Sequence, residues 1–176
     1  MSGPEVSTWA RLEGLARGVI MYWALFGGLI LVALVLLTSA SALRNLVFGT
    51  PILGDFELTK HGVAIAAFAF LPYCQMTYAN VTVDIFTERM SDRAKSGMVL
   101  LSALIAAILA AVLLRQMWFG MLDYIRYPES MVSIPVPLWT AFPPALVSLA
   151  LLIVAALITA REALLGVRVG KQPVQE

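Results

Sequence analysis

From Val19 to Leu43 the chain carries no charged residue and few polar ones, a run longer than the roughly 20 residues a helix needs to cross a bilayer. Three further runs follow, Gly62 to Ala79 with Pro72 inside it, Met98 to Leu114 and Leu138 to Ala160. Each exceeds the roughly 10–14 residues of a buried helix in a soluble protein. The first run is also too long for a signal-peptide core, and no small-residue cleavage site stands near its end, so it reads as a retained helix. With 60% hydrophobic and only 13% charged residues, the chain has more apolar surface than its own core could bury. The expectation is an all-α membrane protein: one four-helix transmembrane domain over residues 1–176, with a short amphipathic connector between helices two and three.

Charge sets an expected orientation. Four spans put both tails and the connector on one side, with Arg11, Arg17, Arg89, Arg93, Lys95, Arg161, Arg168 and Lys171. Arg44, Lys60, Arg115 and Arg126 fall on the other. The positive-inside rule then places both termini in the cytoplasm.

Local signals mark the helix ends. Gly54-Asp55 before Phe56 reads as an N-cap, with Asp55 and Glu57 near the positive end of helix two. Pro72 removes one backbone bond within that helix and predicts a kink. Ser91-Asp92 opens helix three, which meets no breaker before Pro128; at about 1.5 Å per residue it would span roughly 54 Å and project beyond the hydrocarbon. Trp118, Tyr124 and Tyr127 would form an interfacial belt. Pro135, Pro137, Pro143 and Pro144 predict an irregular start to helix four, and the tails, Met1 to Thr8 and Gly170 to Glu176, read as flexible.

No chemistry is legible in these runs. None of the four contains Asp, Glu, Lys, Arg or His, the groups from which proton relays and charged-substrate sites in membranes are built. His61 is the only histidine and Cys74 the only cysteine, so the chain alone cannot build a di-histidine haem site, a multi-histidine zinc site or a disulfide. No nucleophile–base pair or phosphate loop appears. Catalytic residues, metal ligands and cofactors are therefore not expected, and a net charge of +1 gives no pull toward nucleic acid.

Two features read as interaction surfaces. On helix three, Ser102, Ala106 and Ala110 recur every fourth residue, as do Ala103, Ala107 and Ala111; small residues let helices approach closely in lipid, whether within the chain or with a partner. In the connector, Val83, Phe86, Met90 and Ala94 make an apolar stripe, with Asp84, Glu88, Asp92 and Arg93 on other faces, as in a helix lying at the membrane surface. Gln75, Thr77 and Tyr78 give helix two a polar end suited to interhelical hydrogen bonds.

The order of these features resembles the small permease subunit of TRAP (tripartite ATP-independent periplasmic) transporters, DctQ-like. Gly54-Asp55-Phe56-Glu57-Leu58 is similar to the acidic-Leu element before that family's second helix. The segment from Tyr73-Cys74-Gln75 through Asn80-Val81-Thr82-Val83-Asp84-Ile85-Phe86-Thr87-Glu88-Arg89-Met90 resembles its Val-x-Val-Asp segment, with Asn80 where the family often has His. Glu129-Ser130 and Ile134-Pro135-Val136-Pro137-Leu138-Trp139 are similar to the approach to its last helix. The resemblance covers residues 15 to 160 or so and implies a scaffold beside a large permease subunit. It further implies a periplasmic substrate-binding protein, uptake of an organic acid such as a carboxylate, and a sodium or proton gradient as the driving force. Asp84, Glu88 and Arg89 would shape the connector, and Arg115, Asp123 and Arg126 would lie where helix three can meet the binding protein. The alternative is a self-contained four-helix assembly factor or redox subunit.

Overall fold

A computed structural model describes residues 4–77 and 92–169, with side chains over 11–77 and 95–165. The described chain is helical, without a named strand: α1 Pro4–Phe48, α2 Asp55–Met76, α3 Asp92–Arg126 and α4 Phe142–Val169, the last preceded by a 3₁₀ turn over Leu138–Ala141. Three stretches are long and apolar enough to cross a membrane, Arg11–Phe48, Lys95–Arg126 and Leu138–Leu165. That is three and not the four expected. Among the described residues α2 falls short of that measure, since it opens with Asp55, Glu57, Lys60 and His61 and has Pro72 and Gln75 near its end; Tyr78 and Ala79 of the expected run lie outside the described residues.

Helix limits follow local chemistry. Nothing between Pro4 and Phe48 breaks a helix, and proline is tolerated in a first turn, so α1 starts inside the segment expected to be flexible. It stops where Gly49 takes φ 71°, a left-handed conformation glycine adopts without strain. α2 continues through Pro72 for one further turn to Met76. α3 ends at Arg126, just before Pro128. Pro143 and Pro144 lie in the first turn of α4, where a missing N–H costs no intrahelical bond.

The packing order differs from the chain order. α1 packs along α2, α2 along α4, and α4 along α3, while α1 meets α4 only marginally. The termini of α1 and α4 lie at one end, here the terminal end; residues 49–54 and 127–141 form the loop end. Near the terminal end Ile20, Met76 and Ala155 make a small core with Leu151 and Ile158. Elsewhere small residues set the contacts. A β-carbon on Gly27 would stand 2.8 Å from Ala69 Cβ, so α1 and α2 approach closely because Gly27 has none.

Among the described side chains of α3 the buried ones are Ser96, Ala103 and Ala110, seven apart, with Ala106 and Ala107 half-buried and Ser102 and Ala111 exposed. The buried line therefore follows neither four-residue stripe. Seven residues make close to two helical turns, so residues at that spacing share one face, here turned to α4. In the most apolar stretch of each spanning helix at most 28% of the residues are buried. Tyr22, Leu29 and Val35 on α1, and Leu101, Ile108 and Val112 on α3, are exposed.

Candidate functional site: polar joints and the loop-end cap

The polar side chains within the helices form joints between them. Gln75 Nε2 donates to Thr159 Oγ1 at 3.2 Å, and that hydroxyl donates to Ala156 O at 3.1 Å. Trp23 Nε1 donates to Ser148 Oγ at 2.9 Å, and Ser148 donates to Pro144 O at 2.8 Å. At the loop end, Thr140 donates to Pro137 O at 2.7 Å and lies 3.0 Å from His61 Nε2. A hydroxyl has one hydrogen, so Thr140 Oγ1 accepts from His61 and Nε2 carries the proton. Burial pushes the His61 imidazole below its ordinary pKa, which keeps the ring neutral in this role. Each hydroxyl thus donates to its own segment and accepts from a neighbouring helix. These bonds consume the polar groups; every buried side-chain nitrogen or oxygen among the described residues has a partner.

A second cluster ties α1 to α4 at the terminal end. Arg17 Nη2 lies 2.5 Å from Glu162 Oε1 and 4.0 Å from Glu13 Oε1, and Arg161 Nη1 lies 3.8 Å from Glu13 Oε2. Glu13 and Arg17 stand at i,i+4 spacing, which a sequence displays directly, but nothing in the sequence singles out Glu162.

The loop end holds the strongest convergence. Glu57 accepts from the backbone N–H of Val132 at 3.1 Å and of Ser133 at 3.0 Å, so one carboxylate grips the segment between α3 and α4. That segment is folded on itself: Met131 N–H donates to Val136 O and Leu138 N–H to Glu129 O, with an isolated bridge between Ser130 and Pro137. Ile134 packs on Gly54, where a β-carbon would meet its methyl at 2.8 Å and φ is 77°. The acidic-Leu element and the Glu-Ser…Ile-Pro element, some 75 residues apart in sequence, therefore form one cap.

Asp55 and Glu57 lie in the first turn of α2, near its positive end as expected, and Asp55 Oδ1 accepts from Phe56 N–H at 2.6 Å. The N-cap of α2 is Gly54, in the left-handed region and with no side-chain cap bond; Asp55 is the first helical residue. Its carboxylate accepts a hydrogen bond from the buried Ser41 hydroxyl of α1, which in turn accepts from Ile52 N–H at 3.0 Å. Asp55 is thus a joint between α1 and α2.

The remaining candidate residues do not come together at one place. Ala103 is buried and Ala107 half-buried on the α4 side of α3. Arg126 is exposed at the end of α3. Arg115 is exposed, with its guanidinium carbon 5.3 Å from the centre of the Phe119 ring. Asn80, Asp84, Glu88, Arg89 and nearly all of the connector lie outside the described residues. Among the described residues no group of three or more His, Cys, Asp and Glu is placed to hold a metal ion.

Long apolar helices joined by satisfied polar bonds, and left largely uncovered on their outward faces, define a helical membrane component. Residues 31–166 match the family model "Tripartite ATP-independent periplasmic transporters, DctQ component". The chain belongs to that family, the small permease component of TRAP transporters, and is a transporter component rather than an enzyme. No curated protein and no solved structure matches it.

Proposed function

We propose that this chain is the lateral scaffold of a TRAP transporter in the bacterial inner membrane, holding a large permease subunit that does the transport. The observation that carries the reading is the uncovered apolar surface: α1 and α3 each have one main neighbour within the chain and leave their remaining faces to lipid or to another membrane protein. The lack of charge within the expected spans agrees, because a scaffold needs no ion or substrate site.

In this reading α2 is the fourth crossing. Its polar ends lie at the interfaces, and its Gln75 is satisfied by Thr159 of a neighbouring helix. The terminal end, with Arg17 and Arg161, faces the cytoplasm and the loop end faces the periplasm. The Glu57 cap then presents a fixed surface to a periplasmic substrate-binding protein, with Val132 97% exposed at its tip and Asp123 and Arg126 on the adjoining end of α3. Uptake would be of an organic acid, such as a carboxylate, driven by a sodium or proton gradient through the large subunit.

The test is affinity purification of the chain from its native membrane in mild detergent, with mass spectrometry of what accompanies it and a parallel uptake assay on a deletion strain. Recovery of a large multi-span permease whose uptake fails on deletion is the expected result. Recovery of the chain alone in several detergents and in nanodiscs would overturn the scaffold reading.

A further inference from the structure

Between the loop-end halves of α3 and α4 lies a groove of about 490 Å³, open along one side. Leu114, Trp118 and Phe119 form one wall, Leu146 and Val147 the other, and Ala150 leaves the bottom open because it carries only a methyl group. The lining is almost entirely apolar, with Arg115 as the one cation at its edge. None of the ion pairs among the described residues involves Arg115; its guanidinium rests on the Phe119 ring at 5.3 Å.

Position narrows the occupant. Arg115 directly follows the apolar run that ends at Leu114, and Gly120 and Tyr124, one and two turns further on, pack against Phe142, the first residue of α4. The groove therefore straddles the periplasmic border: Leu114 and Ala150 lie at its inner end, and Phe119 and Leu146 about one turn nearer the loop end, where the Arg115 guanidinium rests. An arginine there extends toward the headgroups, beside a tryptophan whose ring suits the same layer. The volume is that of a ligand pocket of about 300–1,000 Å³, not the seat of a second helix about 10–12 Å across.

We propose that this groove holds an anionic phospholipid, with an acyl chain against Leu146, Val147 and Ala150 and the phosphate on Arg115. An anionic headgroup neutralises the unpaired guanidinium, whereas a zwitterionic one brings its own ammonium into the same space. The inference rests on the membrane placement given above. A lipid held there would fill the outer side of the α3–α4 contact and fix the height of the subunit in the bilayer.

The test uses the complex of this chain with its large permease, delipidated in detergent and titrated with phosphatidylglycerol or phosphatidylcholine under native mass spectrometry. The full chain alone in nanodiscs serves if no complex forms. Phosphatidylglycerol should bind at one site in preference to phosphatidylcholine. Arg115→Gln should weaken it roughly three- to tenfold, the loss of one charge-assisted contact at a wet interface, with Arg115→Lys between. Ala150→Leu, which fills the groove and leaves the charge alone, should weaken both lipids. Equal binding of the two lipids, or unchanged phosphatidylglycerol affinity in Arg115→Gln, overturns the proposal. So does a photo-crosslinker at Val147 that captures the permease and no lipid in native membranes. Recovery of the permease is scored in the same samples, so failure of the scaffold reading is seen separately from failure of the lipid site.

Discussion

Replacing Gly27 by alanine would place a new β-carbon 2.8 Å from Ala69 Cβ, with Ala66 O at 3.4 Å. Carbon atoms rest at about 3.5–4.0 Å. Both β-carbons are fixed to helix backbones, so no rotamer change relieves the clash, and α1 and α2 must part along a seam that also includes the Leu34–Gly62 contact and the Ser41–Asp55 bond. Overpacking of this kind costs about 1–3 kcal/mol. Alanine regains up to about 1 kcal/mol of helix propensity by soluble-peptide scales. Gly28→Ala on the adjacent position controls for that gain, because its β-carbon would meet only Phe70 Cζ at 4.0 Å. The difference between the two variants should therefore be about 1–3 kcal/mol, Gly27→Ala being the less stable, measured by steric trapping in bicelles. Adding Ala69→Gly to Gly27→Ala should recover most of the loss, giving a coupling that a double-mutant cycle reads directly. Equal stabilities for Gly27→Ala and Gly28→Ala, or no rescue by Ala69→Gly, would refute the close approach at Gly27.

Other substitutions probe the remaining joints. Glu57→Ala removes the acceptor of two backbone amides; hydrogen exchange at Val132 and Ser133 should rise about tenfold, the equivalent of one net hydrogen bond at an exposed site, while exchange in mid-α4 stays unchanged. Ala103→Leu, at a residue 1% exposed against α4, should cost about 1–3 kcal/mol in the same trapping assay. Ala111→Leu on the exposed side should stay within about 0.5 kcal/mol, and equal effects would place the α3 seam elsewhere. Arg17→Glu should lower stability by about 0.5–1 kcal/mol at this partly exposed pair, and combining it with Glu162→Arg should restore most of that; no restoration would mean the pair contributes nothing. His61, neutral in the fold and depressed in pKa, contributes stability that is fully present above the imidazole's ordinary value of about 6.5 and declines as pH falls below it. His61→Gln should flatten that decline, as followed by thermal unfolding between pH 7.5 and 5.

Recognition of the family rested on short elements whose purpose was not visible in the sequence. Gly54 to Leu58 and Glu129 to Trp139 each look like ordinary helix approaches when read alone. Their shared role depends on Glu57 reaching two amides and on Ile134 occupying the space that a side chain on Gly54 would take. The same holds for the hydroxyls of Ser148 and Thr159, which do not stand out in an apolar run until Trp23 and Gln75 donate to them. A tryptophan inside a hydrophobic stretch does signal that its N–H needs an acceptor, but not which one.

Residue order alone was enough to establish that the chain is helical, that it belongs in a membrane, and that α3 runs from near Asp92 to just short of Pro128. These are local consequences: apolar length, helix-compatible residues and proline at the ends act within a few turns of chain. The lack of acid–base chemistry inside the apolar runs was equally legible, since a missing residue type needs no partner to be counted. Which small residues matter was settled by packing in three dimensions. Gly27 and Gly28 are identical by composition and adjacent in sequence, yet one faces Ala69 and the other looser space beside Phe70. Ala103 and Ala111 share a four-residue stripe, yet a seven-residue seam buries the first and exposes the second. Which side of a helix meets a neighbour is fixed by crossing geometry and by long-range partners such as Glu162 for Arg17. In lipid, where every side of these helices is apolar, the hydrophobic pattern alone does not choose that side.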